Sequence, residues 1–368
     1  MLTMLHIVEL LAPYGGVPVK LFRLAEAIDP ERGRLVFTVF QPGSLDGAIS
    51  RLGSSVRQVG SVSPVRIVRA LDRAIEEERP DVVCSHHTRG LITGFLAAKR
   101  HGLPLIHHEH SSAHYRQGLG RLAARAIMPR VDRVICNSLY TLRSIQAAYS
   151  GIAGRLCHLH DPVVERRATT PAQAVREELG LSATDPVIGH IGGLIPERDQ
   201  ATLIRAVDRL RRFYPRVKLV LVGDGPERAR LEALVRMLQM DALVRFTGYR
   251  DPGDLLGVMD LYVNPCVDEG FGIAVVEAML AGLPVVIAGA GSHPELIIDG
   301  ECGFLYEPGN PEDLAARLQW LIDHPVDARG MGARARLHAQ QQFSPGRFMT
   351  GYFNAMQPVV GCFDPVLQ

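Results

Sequence analysis

Two hydrophobic patterns take turns along this chain: short unbroken apolar runs, and longer stretches in which apolar residues recur at helical spacing. His6 to Leu11 is an apolar run, closed by Ala12-Pro13-Tyr14-Gly15-Gly16, and Val19 to Ile28 then follows the helical period. Arg34 to Phe40 predicts a second strand, Ile67 to Glu78 a helix, and Pro80 to His86 a strand opened by a proline. Gly90 to His101 reads as a small-residue helix, and Leu105 to His108 and Val131 to Asn137 as strands. The rhythm stops at residues 162–175, with Pro162, Arg166-Arg167, Thr169-Thr170 and Pro171, which reads as an interdomain linker.

The pattern then restarts. Val187 to Ile191 is a strand, Gly192-Gly193 a turn, Gln200 to Phe213 a helix and Lys218 to Val222 a strand. After the turn Gly223-Asp224-Gly225-Pro226 come helix Glu227 to Met237, strand Val244 to Phe246, helix Asp254 to Met259 and strand Leu261 to Asn264. Ile273 to Leu280 is a helix that Pro284 ends, and Val285 to Ile287 a buried strand. Gly303-Phe304-Leu305 and helix Pro311 to Asp323 complete the series. Strands alternating with helices predict an α/β fold of parallel, doubly wound sheets. A chain of 368 residues exceeds one ordinary core. Two Rossmann-like domains are expected, over 1–165 and 172–344, facing each other across a central cleft. The amphipathic tail, 345–368, is expected to cross back to the first.

Composition adds little until it is divided. The net charge is +1 overall, but residues 1–165 carry about +6 and the remainder about −5. The excess marks either an ordinary arginine-rich surface or a domain that rests on an anionic membrane. Arg121, Arg125 and Arg130, interleaved with Leu119, Leu122 and Ile127, carry the same pair of readings. Neither the charge nor its distribution points to nucleic acid. Six scattered cysteines (84, 136, 157, 266, 302, 362) form no C-x-x-C pair and fit a reducing cytoplasm. The longest apolar stretch, Phe271 to Gly291, holds Glu277 and is broken by Pro284, so it reads as a helix plus a strand rather than a membrane span.

The chemistry concentrates in Asp268-Glu269-Gly270-Phe271-Gly272-Ile273-Ala274-Val275-Val276-Glu277-Ala278-Met279. A helix starting near Ile273 aims its open N–H groups and positive dipole end back at the glycine turn, a ready anion site. Glu269 stands at the mouth of that site and Glu277 one turn inside the helix, with seven residues between them. Carboxylates beside an anion site suit hydroxyls rather than the anion. Phosphate flanked by two hydroxyl-binding carboxylates describes a nucleotide sugar. The bland alternative is a salt-bridged helix residue at Glu277 and a dipole-favoured carboxylate at Glu269.

This segment, followed by Ala281-Gly282-Leu283-Pro284-Val285-Val286, resembles the retaining GT-B glycosyltransferases of family four (glycosyl transferases group 1). Gly15-Gly16, Glu109-His110, Val222 to Pro226, Phe246-Thr247-Gly248 and Gly303-Phe304-Leu305 match in order, so the resemblance spans nearly the whole chain. It implies transfer of a hexose from a UDP- or GDP-linked donor, with no cofactor and no metal. The acceptor implied is a glycan or polyprenyl-linked compound of bacterial lipopolysaccharide, capsule or exopolysaccharide synthesis. The cytoplasm, at the inner face of the membrane, is the expected location.

Carried over by position, Glu269 and His110 lie at the donor sugar and Glu277 at the ribose. The backbone around Gly270, Phe271, Gly272 and Ile273 holds sugar hydroxyls and phosphate. Gly16 lets the backbone approach the diphosphate, Arg198 pairs with it, and Gly248, Tyr249 and Arg250 lie near the base. The chain departs from the family's G-R-L-x-x-x-K clamp: in Gly192-Gly193-Leu194-Ile195-Pro196-Glu197-Arg198 a glycine replaces arginine and an arginine replaces lysine. Arg250 or Lys20 is a candidate to supply the missing charge. Asp161-Pro162 stands where the family often has Asn-Gly.

Three other readings compete. A non-catalytic nucleotide-sugar-binding subunit is motivated by Gly193, and a nucleotide-sugar epimerase by the shared fold. His107-His108-Glu109-His110 invites a metal site, although strand alternation sends His108 and His110 to one face and His107 to the other. Gly289-Ala290-Gly291 and Gly223-Asp224-Gly225 leave G-x-G-x-x-G incomplete, which argues against a dehydrogenase.

Overall fold

The computed structural model describes residues 1–12, 15–112 and 118–361. The chain forms two compact units, one of Met1–Pro162 with the chain from Pro345 onward, the other of Val163–Ser344. Pro13 and Tyr14 of the first turn, Cys362 and the end of the tail lie outside the described residues.

The first unit opens with β1 (Leu2–Val8), α1 (Gly16–Ala27), β2 (Gly33–Val39), α2 (Asp46–Arg51) and β3 (Ser55–Gln58). It continues through α3 (Pro64–Glu78), β4 (Val82–His86), α4 (His87–His101) and β5 (Leu105–Glu109). Then follow α5 (Gly118–Ile127), β6 (Arg133–Cys136), α6 (Leu139–Ala148) and β7 (Leu156–His158). The seven strands pair in parallel in the order β3-β2-β1-β4-β5-β6-β7.

The second unit holds α7 (Ala172–Glu178), β8 (Val187–Ile191), α8 (Gln200–Leu210), β9 (Lys218–Val222) and α9 (Arg228–Met237). Next are β10 (Val244–Gly248), α10 (Pro252–Leu256), β11 (Leu261–Asn264), α11 (Ile273–Leu280) and β12 (Val285–Ala288). β13 (Phe304–Tyr306), α12 (Pro311–Asp323) and α13 (Pro325–Gln342) complete it, and α14 (Pro345–Val360) belongs to the first unit. The six strands are parallel in the order β10-β9-β8-β11-β12-β13.

Both sheets are buried on both faces, which is why their strands read as unbroken apolar runs. Leu5 and Ile7 of β1 feed one core, Leu2 and Met4 the other. Along β9, Leu219 and Leu221 enter one core and Val220 and Val222 its opposite.

Several boundaries differ from the sequence pattern. β1 runs from Leu2 to Val8 rather than from His6 to Leu11, and α1 starts at Gly16. α8 stops at Leu210, leaving Phe213 70% exposed. The supposed linker is tied down within the second unit. Val163 N–H donates to the Phe343 carbonyl at 3.0 Å, and the Thr169 and Thr170 N–H groups to Asp254 at 2.6 and 2.9 Å. Its threonines are anchors rather than slack.

Candidate active site

In an open parallel sheet, ligands gather beyond the strand carboxyl ends where the strand order reverses. In the second unit that point lies between β8 and β11, which pair side by side while their outer neighbours diverge. The chain leaving β8 forms the loop Gly192 to Arg198, and the chain leaving β11 forms the loop that carries Glu269. Val267 N–H donates to the Glu197 carbonyl at 3.0 Å, so the two loops are joined by backbone.

Glu269 is 8% exposed and accepts a charge-assisted hydrogen bond from Arg198, with Asn264 Nδ2 at 3.4 Å. Burial, the largest single influence, would raise the Glu269 carboxyl, but the Arg198 charge, His293 and the hydrogen bonds from Arg198 and Asn264 together hold the group below the usual carboxylate range. The same pairing raises Arg198. Two buried imidazoles complete the surroundings. His190 Nδ1 bonds the Val263 carbonyl and His293 Nδ1 the Ala288 carbonyl, each at 2.9 Å, and burial pushes both rings down to about 4.

Gly272, at φ 94°, caps α11 without any side-chain hydrogen bond. Only glycine takes that backbone freely. The helix therefore opens with N–H groups that no partner inside it can satisfy. Ile273, half-buried, is its first residue, Gly270 precedes the turn, and the Phe271 side chain is 2% exposed against Phe343. Phe271 thus contributes backbone to the turn and its ring to the core. Gly291 holds the loop in place: a Cβ there would lie 2.6 Å from the Glu269 nitrogen. Ser292 N–H donates to the Glu269 carbonyl at 3.0 Å.

Glu277, 4% exposed on the first turns of α11, accepts from Arg166 Nε at 2.6 Å. Arg166 is a partner the sequence pattern did not single out, since it lies in the segment read as a linker. Asn264 was also missed, although an amide at a strand's carboxyl end was a usable signal.

The remaining expectations meet different surroundings. Gly248 has φ 69° and Tyr249 is 68% exposed, its hydroxyl donating to the Asp224 carbonyl at 3.2 Å. Arg250 makes a two-pronged pair with Glu178, at 2.7 and 3.0 Å. Lys20, 1% exposed in the first unit, sits 2.6 Å from Asp161. Each of the cations expected to replace the clamp arginine is paired with a carboxylate, as Arg198 is with Glu269. In the first unit Gly16 begins α1, and the positive φ of 88° falls on Gly15 before it. His110 follows β5, half-buried, with Nε2 at 3.0 Å from His86 Nδ1. His107 faces away from it, bonding Ser85 at 2.9 Å, as alternation along the strand requires.

Two parallel, doubly wound units, the second with paired carboxylates about a glycine-capped helix, define the GT-B class of glycosyltransferase. Residues 172–338 match the family model of glycosyl transferases group 1, and residues 14–164 that of glycosyltransferase family 4; the chain belongs to this family. Over 240 residues it is 32% identical to a GDP-mannose-dependent monoacylated alpha-(1-6)-phosphatidylinositol monomannoside mannosyltransferase of Corynebacterium glutamicum, 61% of each protein. It is 29% identical over 286 residues to a D-inositol 3-phosphate glycosyltransferase of Streptomyces avermitilis, 71% of this chain and 61% of that one. These matches span less than two thirds of the relatives' own length. Among solved structures, Anabaena Alr3699/HepE in complex with UDP and glucose superposes with a TM-score of 0.86 at 25% identity, covering 97% of this chain and 100% of that one.

Proposed function

We propose that this chain transfers a hexose from a UDP- or GDP-linked donor to a hydroxyl of a glycan or lipid-linked acceptor, with retention at the anomeric carbon and without a metal. The observation that carries the reading is the pair of buried carboxylates, Glu269 and Glu277, on either side of a helix start whose N–H groups have no side-chain cap. Transfer releases a nucleoside diphosphate while positive charge develops at the anomeric carbon. The α11 amides and Arg198 neutralise the departing phosphate. Glu277 takes the ribose hydroxyls in exchange for Arg166, Glu269 orients the sugar, and attack comes from the face the diphosphate leaves. We assign His110 to the donor sugar as well, the acceptor to the first unit and the donor nucleotide to the second.

The relative from Corynebacterium is named for GDP-mannose, and the Anabaena structure holds UDP, so both bases stand as donors to test. We place the acceptor in bacterial envelope synthesis, as in lipopolysaccharide, capsule or exopolysaccharide, on the cytoplasmic face of the membrane. Leu119 and Leu122 of α5, 84% and 65% exposed beside Arg121 and Arg125, support a peripheral contact there. Ile127 is buried and takes no part in it. Among the described residues no helix is long and apolar enough to cross a membrane.

Calorimetric titration with UDP and GDP, followed by donor hydrolysis over a panel of sugars, tests the reading. One nucleotide should bind. Glu277→Ala should weaken it about tenfold or more, as expected when hydrogen bonds to a charged group are lost. Glu269→Ala should chiefly lower turnover. If neither nucleotide binds, the chain is a non-catalytic relative of its family; unchanged kinetics in both variants would remove the site assignment.

A further inference from the structure

Four histidines of the first unit come from three separate stretches of sequence and meet on or beside three adjacent strands. His6 lies on β1, His86 ends β4, His108 lies on β5 and His110 follows it, and β1, β4 and β5 pair side by side. His86 and His108 are register partners, and their rings stack with centroids 4.6 Å apart. His6, His86 and His108 are at most 1% exposed.

Their nitrogens meet in a line. His110 Nε2 lies 3.0 Å from His86 Nδ1, and His86 Nε2 lies 3.0 Å from His6 Nδ1. His6 Nε2 is 3.4 Å from the Tyr352 hydroxyl of α14, which is 3.5 Å from His108 Nε2. Burial holds these rings neutral, lowering His6 to about 3 and the others well below their ordinary value, and the Lys20 charge adds to the effect. A neutral imidazole has one N–H and one bare nitrogen. Setting the proton on one of the directly bonded rings, His6, His86 or His110, therefore sets it on the other two, and the Tyr352 hydroxyl links them to His108.

One atom chooses the direction. His108 Nδ1 is buried and has no partner. An orphaned N–H in such a place is rarer than an under-used acceptor. The His108 proton accordingly sits on Nε2 and is donated to the Tyr352 oxygen. The Tyr352 O–H has two acceptors in reach, His6 Nε2 at 3.4 Å and Cys84 Sγ at 4.0 Å, and the nearer nitrogen is much the stronger acceptor. With the hydroxyl donating to His6 Nε2, His6 Nδ1–H donates to His86 Nε2 and His86 Nδ1–H to His110 Nε2. At the end of the line His110 carries its proton on Nδ1, which meets no partner among the described residues.

We propose that His86, His6, Tyr352 and His108 are positioning residues that fix His110 as its Nδ1–H tautomer, so that it offers a sugar oxygen a hydrogen-bond donor and does not act as a general base. The part concerning the sugar rests on the placement of His110 at the donor sugar; the tautomer does not. The left-handed φ of 56° at His87, directly after His86, shows backbone held in a costly conformation where this line reaches its end.

Long-range ¹H–¹⁵N correlation spectra of the full-length protein labelled at histidine nitrogen report which ring nitrogen bears the proton. His110 is expected protonated at Nδ1 with Nε2 bare; a proton on Nε2 overturns the proposal. Tyr352→Phe removes one hydroxyl and keeps the ring that fills the core, so it isolates the relay from folding. It should release His110 into a mixture of tautomers, as should His86→Leu. In His86→Asn the amide nitrogen stands near the lost Nδ1 and should restore the tautomer. Turnover should fall about tenfold in His86→Leu with KM little changed, the scale of one hydrogen bond, and recover in part in His86→Asn. An unchanged His110 spectrum in both Tyr352→Phe and His86→Leu overturns the relay. The expected tautomer together with unaltered turnover in His110→Gln would instead remove His110 from the sugar site and leave the relay standing.

Discussion

Each of the two carboxylates proposed to bind the donor is held by an arginine, Glu269 by Arg198 and Glu277 by Arg166. A carboxylate taken out of water needs such a partner, and breaking a buried pair by removing one side is costly. On the proposed reading, donor binding is therefore an exchange of partners rather than the filling of bare charge. Gly193 limits that exchange on the phosphate side, and its surroundings say that a side chain would fit. A Cβ at Gly193 would meet nothing nearer than the Asp224 carbonyl at 3.8 Å, and its φ is not in the left-handed region. Gly193→Arg should restore a second phosphate-binding cation and tighten UDP or GDP about tenfold, the scale of a charge-assisted hydrogen bond. Titration calorimetry checks the gain and a thermal melt should show an unaltered fold. No gain in affinity would mean that residue 193 does not face the diphosphate. Glu269, Glu277 and the helix start could be read from the sequence because their signals are local. Arg166 could not, since it meets Glu277 across 111 positions of chain and neither residue carries a mark of the other.

Among elements, the central strands were legible, as were the apolar edge strands β10 and β13 of the second unit, but β3 and β7 at the edges of the first were not. Central strands such as β1 and β9 are apolar on both faces and announce themselves. β3, Ser55-Val56-Arg57-Gln58, is an edge strand that is mostly polar, and it is held partly through Arg57 to Glu78 at 2.8 Å. α13 was hidden for the opposite reason: it packs through small residues, and a Cβ on its Gly332 would lie 2.1 Å from the Gly282 carbonyl. Gly223-Asp224-Gly225 looked like a fragment of a dinucleotide loop and proves to be a backbone socket for the loop Gly192 to Arg198. Leu194 N–H donates to the Asp224 carbonyl at 3.0 Å, and Glu227 N–H to the Leu194 carbonyl at 3.0 Å. A Cβ at Gly223 would lie 2.1 Å from the Gly192 carbonyl, at φ 130°. Gly223→Ala should therefore combine backbone strain with overpacking and cost about 3 kcal/mol. Gly309→Ala, at φ 74° with nothing within 4 Å, should cost only the strain, about 1 kcal/mol. Denaturant titration of the two variants gives the comparison. Equal losses would show that the loops can separate freely, and would weaken the claim that this socket places Arg198.

At the scale of the whole molecule, the chain begins and ends in the same unit, and the tail is a structural part of it. α14 packs against α1 and β6. It buries Phe348 (2% exposed), Tyr352 (0%) and Met356 (0%) in the core that also holds Leu21 and Leu24 of α1. Emptying a core site of a side chain this size costs about 3–5 kcal/mol, so losing three removes roughly 10 kcal/mol. That matches the entire stability of an ordinary domain, about 5–15 kcal/mol. The second unit, contiguous from Val163 to Ser344, loses nothing from its own cores. Truncation after Ser344 should therefore split the molecule's stability in two. Amides of β8, β9 and β11 should stay protected in hydrogen exchange, and those of β1, β4 and β5 should exchange as in an unfolded chain. Nucleotide should still bind the truncated protein weakly, because Glu277 and Arg198 stand in the intact unit, while turnover should vanish with the unit that holds His110. Full protection of β1 after truncation would show that α14 merely covers a core already complete. The tail would then reach His110 only through the Tyr352 hydroxyl.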